Sequence, residues 1–471
     1  MKIALAFKGR YHIRDAVVIE YISAIAKRHG HQAALIYDQD IFGITDNVIS
    51  IPFLNKIFSH ADGIIKKGKE ENPRLAIFLD GFNRSQWNAE ISQGLKRINN
   101  NLITVLFSCW PPVSPVDAYD YVLIGEPESA AEKFFAQNIF EADKGVYEFK
   151  ELAEVNDLPL PDKTLFAPYV NFRDSYMVYT GRGCPYGCSY CEETMYKHAL
   201  GEAYFRRRNP QDVIQELEAA KKNFAIKEVI YKDSVFAWDK EWLKAYLGMY
   251  RRQINLPYKC FAKAEVFDNE ICLMLKESGC YCLEFGVQTF NQQIKEDILE
   301  RNEKTSVLGR AFSICERHAL RFDADHMFGI PGERIEDHIE AAKTYLPLRY
   351  LNRIKCHNLV YYPRAKIYRY APKWVKEKKD YRADFFSAVS GQKDMLKVNR
   401  IFTKYFKVLP LFTKRINLFI LEKRLWKVFA YIPNLLIIFL MLILAIKNHD
   451  RRFSIYANLY PRKIMLALRG A

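Results

Sequence analysis

The chain has 471 residues, 49% of them hydrophobic and none in a low-complexity tract, which suits two or three packed domains and excludes a disordered or fibrous protein. Of the net charge of +15, +11 falls on residues 401–471; the first 400 positions are nearly balanced, so nucleic acid is not their expected substrate. The cysteines lie mostly inside apolar runs, and the amino terminus lacks the longer apolar stretch and cleavage site of a secretory signal, which predicts a cytoplasmic protein.

Strand-like apolar runs recur at 2–7, 32–37, 75–79, 102–107 and 121–124, with helical patterns between several of them, notably at 16–29 and 86–98. Alternation of this kind predicts a doubly wound parallel sheet over residues 1–135, with ligands beyond the carboxyl ends of its strands. At its end, Gly125 reads as a turn residue, and Glu126 and Glu128 favour the start of a helix. Residues 136–170 read as a linker.

After an apolar run at 176–180 comes Gly-Arg-Gly-Cys-Pro-Tyr-Gly-Cys-Ser-Tyr-Cys, residues 181–191. Gly183, Pro185 and Gly187 predict an open loop that brings Cys184, Cys188 and Cys191 to one metal centre. A cubane iron-sulfur cluster usually takes four cysteines, so three leave one iron open. Zinc on the three cysteines and His198 is the rival reading, which would make the chain a zinc-stabilised nucleic-acid-binding protein. No second Cys-x2-Cys accompanies the loop to favour it.

From 209 to about 360, strand patterns at 228–231, 258–262, 281–285, 321–327 and 353–357 alternate with amphipathic helices such as 212–223. With the run before the cysteines they make six strand-helix units, whose ligand residues belong at the carboxyl ends of the strands.

The Cys-x3-Cys-x2-Cys loop, with Tyr190 before its third cysteine, resembles the signature of the radical S-adenosylmethionine (SAM) enzymes. The resemblance implies a [4Fe-4S] cluster on Cys184, Cys188 and Cys191 and a partial (β/α)6 barrel of the TIM type over 171–375. It also implies reductive cleavage of SAM and an electron donor of the flavodoxin or ferredoxin kind. Asp233 resembles the family's acidic residue after the second strand, near the SAM amino group. Glu284 and Gln288 stand in the turn after the fourth strand, with Gln288 replacing the usual acid beside the ribose. Gly329, Gly332 and Glu333 resemble the fifth-strand Gly-x-Pro-Gly-Glu element that lies against adenine. Where relatives have Pro-Gly-Thr this chain has Pro363-Arg364-Ala, and Arg364 and Lys366 could hold an anionic group.

Gly125-Glu126-Pro-Glu128 resembles the element that ends the Rossmann-like cobalamin-binding domain of the cobalamin-type members. The Asp-x-His-x-x-Gly pattern that supplies a histidine to cobalt is broken, since only His12 of it is present. The resemblance therefore implies cobalamin held without that histidine, and a C-methyltransferase for a small-molecule or lipid substrate. A radical cyclase or rearrangement enzyme is the alternative. A tRNA methylthiotransferase fits less well, because the N-terminal domain offers only Cys109 for a second cluster.

Residues 376–471 predict a mainly helical, basic and apolar region. Its run 428–446 carries no charge over 19 residues, just short of the roughly 20 that a spanning helix needs, and Pro433 breaks it. Basic residues flank both ends. These features predict interfacial attachment to an anionic membrane on its cytoplasmic face, with a buried helix as the plainer reading.

Overall fold

The computed structural model describes residues 1–43, 52–81, 84–112, 116–377, 393–450 and 460–466. They form two compact units. One holds residues 1–172 and 196–207 with the described part of 457–471; the other holds 173–195 with the described part of 208–456.

In the first unit, strands β1 (Lys2–Lys8), β2 (Gln32–Asp38), β3 (Leu75–Leu79), β4 (Ile103–Ser108), β5 (Tyr121–Ile124) and β6 (Gly145–Glu148) pair in parallel in the order β2-β1-β3-β4-β5-β6. This is the doubly wound sheet that the sequence predicts. The inner strands are short uninterrupted apolar runs because helices cover them on both faces. Helix Arg14–Arg28 buries every residue from Ala16 to Ala26, including Glu20, which pairs with the buried Lys163 at 2.7 Å. Helix Ser85–Ile98 packs Trp87, Ile91 and Leu95 against Ala4, Ala6, Phe78 and Leu106.

The second unit is an open barrel of six parallel strands, Tyr176–Val178, Val229–Tyr231, Tyr258–Ala262, Cys280–Gln288, Arg321–Phe328 and Leu351–Asn358, paired in chain order. Phe322 stacks on Phe312 of the helix Thr305–Arg317 with ring centroids 4.9 Å apart, which fixes one strand face outward. Asp323 therefore faces the other way, where it meets Lys259 of the third strand and Arg353 of the sixth.

The C-terminal region is helical and packs on the barrel through Lys393–Val408, whose Phe406 lies 5.0 Å from the His326 ring and 5.4 Å from Phe328. The uncharged run 428–446 is split between a 3-10 turn, Leu425–Ala430, and a 14-residue helix, Asn434–Lys447. Among the described residues no helix is long and apolar enough to cross a membrane.

Candidate active site

The cysteine loop leaves the first barrel strand and is held at its middle. Ser189 donates from its backbone to Leu299 O at 2.9 Å and from Oγ to Ile298 O at 2.7 Å, and its own carbonyl accepts from the Ile367 N–H at 2.9 Å. Thr194 Oγ1 donates to Cys188 O at 2.9 Å. Cys184, Cys188 and Cys191 are free thiols. Burial pushes Cys184 up to about 11 and Cys191 well above its ordinary value, with Glu193 and the neighbouring thiols adding to the effect. Without a cation at the site these would be neutral thiols, and iron is the kind of charge that reverses this.

Among the described residues no three His, Cys, Asp or Glu side chains converge where a single ion would sit. A cubane takes one thiolate on each of three irons and leaves the fourth iron open, which three free cysteines fit.

Two cations tie the loop to the barrel. Lys263, just past the third strand, sits 4.4 Å above the Tyr186 ring. Arg301 donates to Tyr190 Oη at 3.4 Å and to the carbonyl of Gly286, on the fourth strand, at 2.5 Å. Glu303 joins them, 3.4 Å from Lys263, 3.0 Å from Arg301 and 3.3 Å from Lys295. Burial lowers Lys295 to about 8; it would raise Glu303, but Arg301, Lys263 and Lys295 hold that carboxyl below the usual range. A rim with this excess of positive charge suits anionic thiolates and a carboxylate ligand.

The other predicted positions lie around the same barrel. Asp233 Oδ1 accepts from Thr180 N–H at 2.8 Å and Oγ1 at 2.7 Å, so it fixes the chain just before the cysteine loop. Gln288 ends the fourth strand at φ +64, where the pairing with the fifth strand slips by one residue. A left-handed glutamine at a strand end is a strained conformation of the kind that collects at sites. Gly329 and Gly332 adopt φ +82 and +85, and a Cβ on Gly332 would meet nothing within 4 Å. The turn thus needs that glycine for its backbone angle. Glu333 Oε2 accepts from Ile330 N–H at 3.0 Å, while its Oε1 is buried without a partner and burial raises the carboxyl to about 8.

Glu284 stands apart from that rim, inside the barrel. It pairs with Lys259 at 2.8 Å and with Lys355, and these cations overcome its burial to hold it well below the carboxylate range. Lys355 also reaches Asp325 at 3.2 Å. Lys366 is matched by Glu300 at 2.8 Å, so it is not a ready anion site.

Sequence reasoning missed the group Lys263, Lys295, Arg301 and Glu303, and the interior pairs of Lys259, Asp323, Arg353 and Lys355. A signal for the second set exists: Asp323 and Asp325, like Arg353 and Lys355, are two residues apart within strands, so each pair shares a face.

In the first unit, Gly125 has φ +147, and a Cβ there would lie 2.4 Å from Phe149 O. Glu126 pairs with Arg206 and accepts from Ala153 N–H at 2.7 Å. His12 lies against Tyr11, with ring centroids 5.4 Å apart. A depression at the carboxyl ends of β1, β3 and β4 is lined by Arg14, Asp15, Asp80, Ser108, Cys109 and Trp110. The order in which strands are added to the sheet reverses between β1 and β3 there, which is where doubly wound sheets bind ligands.

Residues 178–345 match the Radical SAM superfamily. Over 224 residues the chain is 21% identical to an uncharacterized methyltransferase of Pyrococcus horikoshii, covering 47% of this chain and 48% of that one. Over 191 residues it is 25% identical to the cytidylyl-2-hydroxyethylphosphonate methyltransferase of Streptomyces wedmorensis, covering 39% and 35%. The matches thus span less than half the length of either curated relative. The fold is similar to that of TsrM, a radical SAM methyltransferase from Kitasatospora setae solved with cobalamin and a [4Fe-4S] cluster, at a TM-score of 0.57 and 13% identity over 78% of this chain and 73% of that one. It is also similar to OxsB, a cobalamin-dependent radical enzyme solved with aqua-cobalamin and SAM, at 0.55 and 12% over 87% and 56%.

Proposed function

Since residues 178–345 form a radical SAM domain, we propose that the enzyme cleaves SAM reductively at Cys184, Cys188 and Cys191 and transfers a methyl group to carbon in a lipid or natural-product intermediate. The observation that carries this reading is the loop of three free cysteines at the rim of an open parallel barrel, pinned by Lys263 and Arg301 through Glu303. When bound, the cluster supplies the electron that splits SAM, and cobalamin carries the methyl group.

The chain's own residues do the rest. Arg301 holds Tyr190 against the fourth strand, so the second half of the loop cannot swing away from the barrel. Asp233 fixes Thr180 and with it the start of the loop. The neutral carboxyl of Glu333 can donate a hydrogen bond from its partnerless oxygen, which suits an acceptor nitrogen or oxygen on a nucleoside. The methyltransferase relatives and the cobalamin in the two similar folds favour methyl transfer over cyclisation. The depression beyond β1, β3 and β4 would hold part of the corrinoid, and the broken motif around His12 implies that cobalamin would be held without that histidine.

The test is to purify the protein from a cobalamin-supplied host and measure its corrinoid content and its SAM products anaerobically. Bound corrinoid, S-adenosylhomocysteine that depends on cobalamin, and unchanged corrinoid in His12→Ala support the reading. SAM cleavage without any corrinoid would leave a simpler radical enzyme and remove the methyltransferase.

A further inference from the structure

We propose that residues 414–447 form a docking surface for an anionic lipid bilayer, which they enter to interfacial depth without spanning it. On the helix Asn434–Lys447, Leu435, Leu436, Phe439, Ile443 and Ile446 fall within one face of about 100° at the helical repeat. That face is open: Leu435 is 79% exposed, Ile446 63% and Phe439 56%. The opposite face, with Ile437 and Leu444, is buried. The helix is therefore apolar all round, yet protein covers one side only. Tyr431, at 83% exposed, and Val428 and Phe419 continue the exposed apolar surface on the preceding segments. Soluble surfaces rarely leave this much apolar area open without a use.

Charge identifies the occupant. Lys414, Arg415, Lys423, Arg424, Lys427 and Lys447 are exposed on the same segments, with Glu422 as their one acid. Asp450 accepts from Asn352 Nδ2 at 3.0 Å and belongs to the barrel. A second copy of this chain is a poor occupant, because a two-fold contact would press one basic patch against an identical one. Anionic headgroups above an acyl boundary match both the charge and the apolar face. At 14 residues the helix is about 21 Å long, short of the roughly 30 Å hydrocarbon core, so it lies along the interface. This inference is independent of the reaction proposed above.

The test uses the full chain with vesicles of phosphatidylcholine alone and of phosphatidylcholine mixed with phosphatidylglycerol, read by co-sedimentation. A Tyr431→Trp variant reports insertion by a blue shift and by quenching from brominated lipid. The expected result is binding to the mixed vesicles that weakens with salt. Lys423→Ala with Arg424→Ala should lower partitioning about fivefold per residue. Leu435→Glu with Phe439→Glu should lower it at least tenfold, while iron content and circular dichroism stay as in the parent. Three results would overturn the proposal: a parent that ignores anionic vesicles, a Leu435/Phe439 variant that binds like the parent, or a dimer in light scattering that the same variant dissolves while vesicle binding is absent.

Discussion

Glu303 is surrounded by Lys263, Lys295 and Arg301, all within 3.4 Å, and almost no water reaches it. Removing its charge leaves Lys295 and Arg301 facing each other in a poorly solvated space, with Lys263 keeping only Glu265 at 3.2 Å. Breaking one side of a buried ion network typically costs about 3–5 kcal/mol. Glu303→Gln should therefore lower the unfolding free energy by about that much in urea denaturation, and a loss below about 1 kcal/mol would mean the cations find other partners. Glu333 is the opposite case, because burial raises its folded value to about 8. Its protonated form is native, so its contribution to stability is fully present below the ordinary glutamate value of about 4.3 and is lost as pH rises through about 8. The parent should thus lose stability relative to Glu333→Gln across that window, by up to about 1.4 kcal/mol per pH unit. Denaturation midpoints with the same pH slope in both proteins would contradict the assignment. Glu303 has the reverse sign: its stabilisation is present above the ordinary glutamate value and fades as pH falls through its depressed one.

At the scale of elements, the strands of the doubly wound sheet were legible because a parallel strand covered on both faces is a continuous apolar run, as in Leu75-Ala-Ile-Phe-Leu79. β6 was missed for the converse reason: Gly145–Glu148 is a mostly exposed edge strand with no apolar run to betray it. The cysteine loop could be read from spacing alone. Its anchors could not, since Lys263, Arg301 and Glu303 lie far apart in sequence and meet only after the barrel forms. The Gly125 turn was read as a simple break after a strand, and its tight approach to Phe149 became visible only in the fold. Gly125→Ala forces either that contact or the left-handed backbone, at a cost of about 1–3 kcal/mol. Amide hydrogen exchange should speed up first in β5 and β6, and protection equal to the parent's would show that the turn relaxes freely.

Over the whole molecule, charge and apolar surface are divided by task. The barrel keeps its cations inside, paired with Glu284, Asp323 and Asp325, where they shape a site. The C-terminal region keeps its cations outside, beside the open face of Asn434–Lys447. The tail's excess charge was legible in the sequence, while which side of the apolar helix would be buried was not, because the helix is apolar around its full circumference. The central claim, that the three-cysteine loop carries a cluster which cleaves SAM, is tested most directly by 5′-deoxyadenosine release. The anaerobically reconstituted and reduced parent, with about four irons per chain, should release it from SAM, and Cys184→Ala, Cys188→Ala and Cys191→Ala should each release none. Release that persists in any of the three variants, or a parent that holds zinc and releases none, would contradict the account.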